Sequence, residues 1–198
     1  MVRDETAGEV PGVDLWWIPL GSGAHVVRLS GKAFETAAAL LGRRDRLDLY
    51  HSALVVVGPD GRQVIEVAPI PAGGGVGRGV VAEGAVGSRL LSPLRIFRYE
   101  VRCWRDGTIP DAAFAVDSPV RVLDGVEGAM LVVDLVREVP TPVWGRHELA
   151  RGDMWNSNSV TSWLLTRAGV DVESVPLPRG GRAPGWDAGI SVARGLSR

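Results

Sequence analysis

Apolar and polar positions along this chain alternate between two periods, one of about two residues and one between three and four. Leu15 to Leu20 is almost wholly apolar and predicts a short strand; His25 to Leu29 predicts another. Ser30 can then cap a helix from about Lys32 to Arg43, where Phe34, Ala37, Ala38 and Leu41 recur at helical spacing. Leu49 to Val57 is apolar and rich in β-branched residues, the signature of a buried strand. Gly58-Pro59-Asp60-Gly61 is turn chemistry, and Gln63 to Ala68 reads as the returning arm of a hairpin.

Residues 71–88 are rich in glycine and poor in large apolar anchors, which predicts a surface loop and a candidate lid. Arg95 to Trp104 alternates over much of its length, as a sheet strand does, and Asp106-Gly107 turns the chain. Asp124 can cap a helix over Val126–Glu138, which Pro140 and Pro142 bring to an end. A loop over 140–155 leads into a helix over 157–168, closed by Gly169. Gly180 to Trp186 reads as a structured loop. The fold class this predicts is α+β, a small antiparallel sheet packed against helices. Residues 1–12 read as a loose, flexible lead-in and 13–198 as a single domain.

Composition narrows the function classes. A chain of 198 residues supports one domain with a sizeable core. A net charge of −1 supplies no global basic field, so nucleic acid is not an expected partner. The start of the chain has no secretory pattern and no run is long enough to span a membrane, so the expected setting is the cytoplasm. The lone Cys103 allows neither an internal disulfide nor a cysteine-rich zinc site, and reads as a small buried hydrophobe. His25, His51 and His147 lack metal-ligand spacing, and the glycine-rich stretch 73–79 lacks the lysine of a phosphate loop. No metal and no cofactor are expected.

The candidate chemistry lies in Trp155-Asn156-Ser157-Asn158-Ser159-Val160. One helix cap needs one Ser or Asn, and four stand here in succession. Ser157 is placed at a helix N-terminus, where backbone N–H groups and the macrodipole favour negative charge. Asn156 or Asn158 can add a side-chain hydrogen bond to an oxyanion. Arg182, flanked by glycines, can clamp a carboxylate, and Trp144, Trp155 and Trp186 can wall a cleft.

Two segments resemble a known family. Tyr50-His51-Ser52-Ala53-Leu54-Val55-Val56-Val57, its turn and Gln63-Val64-Ile65-Glu66-Val67 look like the histidine hairpin of circularly permuted papain-like enzymes. These include the PPPDE peptidases, the lecithin:retinol acyltransferase-like proteins and permuted NlpC-type proteins. Asn156-Ser157-Asn158 resembles the start of their nucleophile helix, and the order of the two segments is the permuted order. The resemblance implies His51 as base, Glu66 as its orienting partner and Ser157 as nucleophile, acting on a peptide, amide or acyl substrate.

One position departs from the family: it uses cysteine where this chain has Ser157. A serine is not pre-ionised beside a histidine as a thiol is, so it needs a base within about 2.6–3.2 Å that takes its proton during attack. A working serine, an inactive relative and a cysteine-to-serine change all remain open. The expectation is therefore an amide or ester hydrolase or acyltransferase. The alternative is an inactive papain-like domain that binds a peptide or acyl ligand without turnover. An accidental likeness in an interaction protein is the third reading.

Overall fold

The structure, a computed structural model, describes residues 9–20, 48–70, 79–109, 111–146 and 153–195. The strand predicted at 25–29, the helix at 32–43, His25 and His147 lie outside these residues, as does the first part of the candidate lid, 71–78. The described chain forms β1 (Gly12–Pro19), β2 (Asp48–Gly58), β3 (Gly61–Pro69), β4 (Val80–Ala85), β5 (Arg98–Arg105) and β6 (Val120–Asp124). Helix α1 (Gly125–Leu135), helix α2 (Ser157–Arg167), the two-residue β7 (Gly181–Arg182) and helix α3 (Trp186–Ala193) follow. The architecture is α+β. Among the described residues no helix is long and apolar enough to cross a membrane.

The strands lie in the order β4-β5-β3-β2-β1-β6, every neighbouring pair antiparallel, and β7 pairs in parallel with the start of β2. The β2–β3 hairpin closes at Gly58 opposite Gly61 and sets Leu54 opposite Ile65. Gly61 has a φ of 92°, a conformation the tight turn requires and glycine supplies without strain.

Successive residues of a strand point to opposite faces. On one face, here the front, Leu15, Tyr50, Leu54, Val56, Ile65 and Val101 join a core with Val132 of α1 and Val160 and Leu164 of α2. On the back, Ile18, Ala53, Val55, Val57 and Val64 form a smaller core with Ile109. Both faces of β2 are therefore covered, which is why its sequence from Ala53 to Val57 is apolar instead of alternating.

Three elements differ from expectation. Part of the expected lid is strand β4, an edge strand paired to β5. The strand expected from Arg95 begins at Arg98, because Arg95–Phe97 is a turn of 3-10 helix. The tail beyond Gly185 continues as α3. Asp124 does precede α1, but its side chain makes no capping bond and lies 4.0 Å from Arg121 Nε instead.

Candidate functional site

Helix α2 is buried from Ser157 to Leu165, between the front of the sheet, α1 and α3. Nine consecutive buried residues, five of them polar, demand partners for the polar ones. The helix start supplies them. Asn156 caps it: its Oδ1 accepts from Asn158 N–H at 2.9 Å, while Ser159 Oγ accepts from Asn156 N–H at 3.0 Å. This reciprocal pair is a capping box. Asn156 Nδ2 donates to Pro184 O at 2.8 Å. Asn158 Nδ2 donates to Tyr50 O and to Pro184 O, both at 2.9 Å, and its Oδ1 accepts from Ser52 Oγ at 2.9 Å. Ser159 Oγ donates to Gly185 O and Ser162 Oγ to Trp186 O, each at 2.7 Å.

The run of Asn and Ser thus ties three pieces together: α2, strand β2 and the turn at 184–186 before α3. Close approach is built in. A β-carbon on Gly189 of α3 would overlap Ser159 O and Ser162 Oγ, and one on Gly185, at a φ of 86°, would overlap the Asn156 amide. Both N–H groups of the Asn158 amide, and one of the two on Asn156, are committed here. Ser157 alone in the run has no hydrogen bond on its hydroxyl among the described residues, and it is buried.

The base expected for it is elsewhere. Ser52 and Tyr50 face α2, so the pleat turns His51 to the back, where its register partner is Ile18. His51 is half-buried there. Desolvation holds its imidazole down at about 4, against 6.5 ordinarily, although the charge of Asp111 pulls the other way. Glu66 is also on the back face, buried opposite Arg102 of β5. Next to it Arg102 donates from Nε to Glu100 Oε2 at 2.8 Å, both side chains buried. The sheet brings His51 and Glu66 to one side and leaves Ser157 on the other. The expected set of Ser157, His51 and Glu66 is not brought together.

The remaining expected residues separate in the same way. Arg182 and Trp186 line a cavity of about 400 Å³ with Trp17, Leu177, Ile190 and the acidic Asp153, Glu173 and Asp187. The Trp17 and Trp186 rings lie 5.1 Å apart at 49°. Their indole N–H groups donate to Pro176 O and Val172 O, so the rings are fixed. Arg182 makes no side-chain hydrogen bond or ion pair with a described residue, which leaves its guanidinium available to a ligand. Asp153 Oδ2 accepts from Gly185 N–H at the cavity wall.

Trp144 is not at this cavity. It bridges to Val86, and its ring packs on Tyr99 at 5.3 Å. Trp155 is fully buried in the front core, with its indole N–H unpartnered. A larger open groove, about 1110 Å³, runs between β4 and Pro140–Val143; it holds none of the expected site residues. Cys103 donates to Gln63 Oε1 at 3.1 Å, and burial pushes its thiol pKa up, against the pull of Arg137. It is no activated nucleophile. Among the described residues no three His, Cys, Asp or Glu side chains converge to hold a metal ion.

Ser52, Asp153 and the Pro184-Gly185 turn were not expected to matter. The signal for the last was present: a Pro-Gly pair beside Trp186 marks a turn. Compared with known proteins, the chain matches no family model, no curated protein and no solved structure.

Proposed function

We propose that this chain is a cytoplasmic, non-catalytic binding domain on a permuted papain-like plan, taking a peptide or acyl ligand in the cavity walled by Trp17, Trp186 and Arg182. The observation that carries the reading is the side of the sheet. A serine hydroxyl needs a base within hydrogen-bond reach, and His51 projects from the opposite face of β2. An imidazole held near 4 is also a weak base at neutral pH. The cavity offers aromatic walls, the apolar side chains of Leu177 and Ile190, and the Arg182 guanidinium to orient a carbonyl or carboxylate, set among the carboxylates of Asp153, Glu173 and Asp187. On this reading the Asn-Ser run is a positioning device, holding the turn between Arg182 and Trp186 against α2.

The test has two arms. A serine-reactive fluorophosphonate should label the chain no more than it labels Ser157→Ala. Fatty-acid and peptide libraries screened by ligand-observed NMR should yield binders whose signal is lost in Arg182→Gln. Labelling that disappears in Ser157→Ala would establish an activated serine and overturn the non-catalytic reading. Binders that persist in both Arg182→Gln and Trp186→Ala would move the site out of this cavity.

A further inference from the structure

We propose that the connection between β4 and β5, residues 86–97, is a docking surface for an anionic lipid bilayer. The argument starts from the sequence of this stretch. Residues 84–99 contain three arginines and no acidic residue, in a chain whose net charge is −1. The apolar residues between those arginines do not fold inward. Leu90 is 90% exposed, Ile96 64% and Leu94 55%, and Leu91 is exposed beside them. Scattered single apolar residues on a surface are ordinary; four within seven positions of one short loop are a patch.

The loop is also built to hold those side chains outward. Its base is closed by Val86 N–H donating to Phe97 O at 2.7 Å and Gly87 N–H to Trp144 O at 3.0 Å. Inside, Leu91 N–H donates to Ser88 O, Leu94 N–H to Leu91 O and Phe97 N–H to Leu94 O. Ser88 Oγ accepts from Leu90 N–H, and Ser92 Oγ donates to Arg89 O. Pro93 has no N–H to satisfy. A segment whose backbone groups are largely paired within itself can enter the headgroup region without leaving donors and acceptors stranded there.

Charge selects the occupant. Arg95 is exposed and has no partner among the described residues, and Arg146 lies against the loop base, donating from Nε to Gly87 O. Of the three arginines over 84–99, Arg98 at the start of β5 pairs with Glu83 and Arg89 is also engaged, so Arg95 is the charge the loop presents. A basic group set between exposed Leu and Ile suits an acyl-headgroup boundary carrying negative charge, where the apolar side chains insert and Arg95 meets an anionic headgroup. The exposed Val126, Met130 and Leu131 of α1 provide an internal contrast: within α1 no basic residue accompanies them.

Flotation of the full chain with vesicles decides the matter. The chain should float with phosphatidylcholine vesicles containing phosphatidylserine and far less with phosphatidylcholine alone. Leu90→Ser combined with Ile96→Ser should lower partitioning about tenfold or more. Arg95→Gln should lower it about fivefold and weaken its dependence on salt. Met130→Ser combined with Leu131→Ser should leave it unchanged. All five residues are exposed, and thermal melting of each variant checks that folding is retained. No flotation, or equal flotation of the Leu90/Ile96 variant, overturns the proposal. So does a self-associating chain that becomes monomeric in that variant without binding vesicles, since the patch then covers a second copy.

Discussion

The two faces of the sheet bury polar groups in opposite ways. On the front, α2 meets β2 and the turn before α3 through the neutral side chains of Asn156, Asn158 and Ser159, each paired with a carbonyl or hydroxyl of another element, while the buried Ser157 hydroxyl has no such bond among the described residues. On the back, the buried polar groups carry charge: Glu66, Glu100 and Arg102, with His51 in its neutral form beside them in the same surface of the sheet. A neutral network can be satisfied one bond at a time, and it fixes geometry. A charged one is stable only while its partners are all present, because the interior does not replace the water a lone ion has lost. The difference teaches why the chemistry expected at Ser157 does not assemble. Among the described residues the only histidine, His51, belongs to the charged face.

The comparison makes three graded predictions. The largest effect belongs to the back. Arg102→Met leaves Glu100 buried without its partner and should lower stability by about 3 kcal/mol or more, whereas Arg102→Met with Glu100→Leu should restore much of the loss. Urea unfolding of the three proteins measures both; a single variant as stable as the double would break the distinction. On the front, Asn158→Ala removes the partners of Tyr50 O and Ser52 Oγ, while Pro184 O keeps its bond from Asn156, and should cost about 2–3 kcal/mol in the same assay, with no dependence on pH.

The third prediction is the titration of His51, read as a slope of stability against pH. Its folded pKa, about 4, lies below the ordinary 6.5, so the unfolded chain takes up the proton first as pH falls. The stability contributed by the neutral ring is complete above 6.5 and is lost as pH drops from there through 4. Unfolding midpoints across that window should slope downward, and His51→Gln should flatten the slope. An NMR titration of the imidazole with a midpoint near 6.5 would contradict the buried, back-facing placement.

What the sequence made legible follows from how strong each local signal is. The β2–β3 hairpin is readable because a long β-branched run meets Gly58-Pro59-Asp60-Gly61. Helix α2 is readable because Asn156 and Gly169 bracket it. The orientation of β2 is not readable. Its inward and outward sets, Tyr50-Ser52-Leu54-Val56 and His51-Ala53-Val55-Val57, are equally apolar beyond position 52, so periodicity carries no face. A shift of one residue exchanges His51 for Ser52, and with it a base for a hydrogen-bond donor.

The short elements escaped for local reasons. Strand β4 is six residues ending Glu-Gly-Ala, next to a glycine-rich stretch. Strand β6 is five residues at the edge of the sheet. Helix α3 is preceded by Gly185 at its N-cap and contains Gly189, a residue that weakens a helix in isolation. Both are required by contact with α2, and contact is invisible in one dimension. The candidate site was legible in part: Arg182 and Trp186 do share a cavity, while the excess of Asn and Ser before Val160 signalled cross-linking of elements.

The paired indoles of Trp17 and Trp186 have a consequence in optics. Two such chromophores, 5.1 Å between centroids and inclined at 49°, share their excited states. Their transitions split into a pair of opposite-signed circular dichroism bands that neither ring produces alone. The splitting depends steeply on separation and angle. Any guest that wedges against Trp186 changes it, so this chain carries, in its native aromatic side chains, a spectroscopic gauge of whether its cavity is occupied.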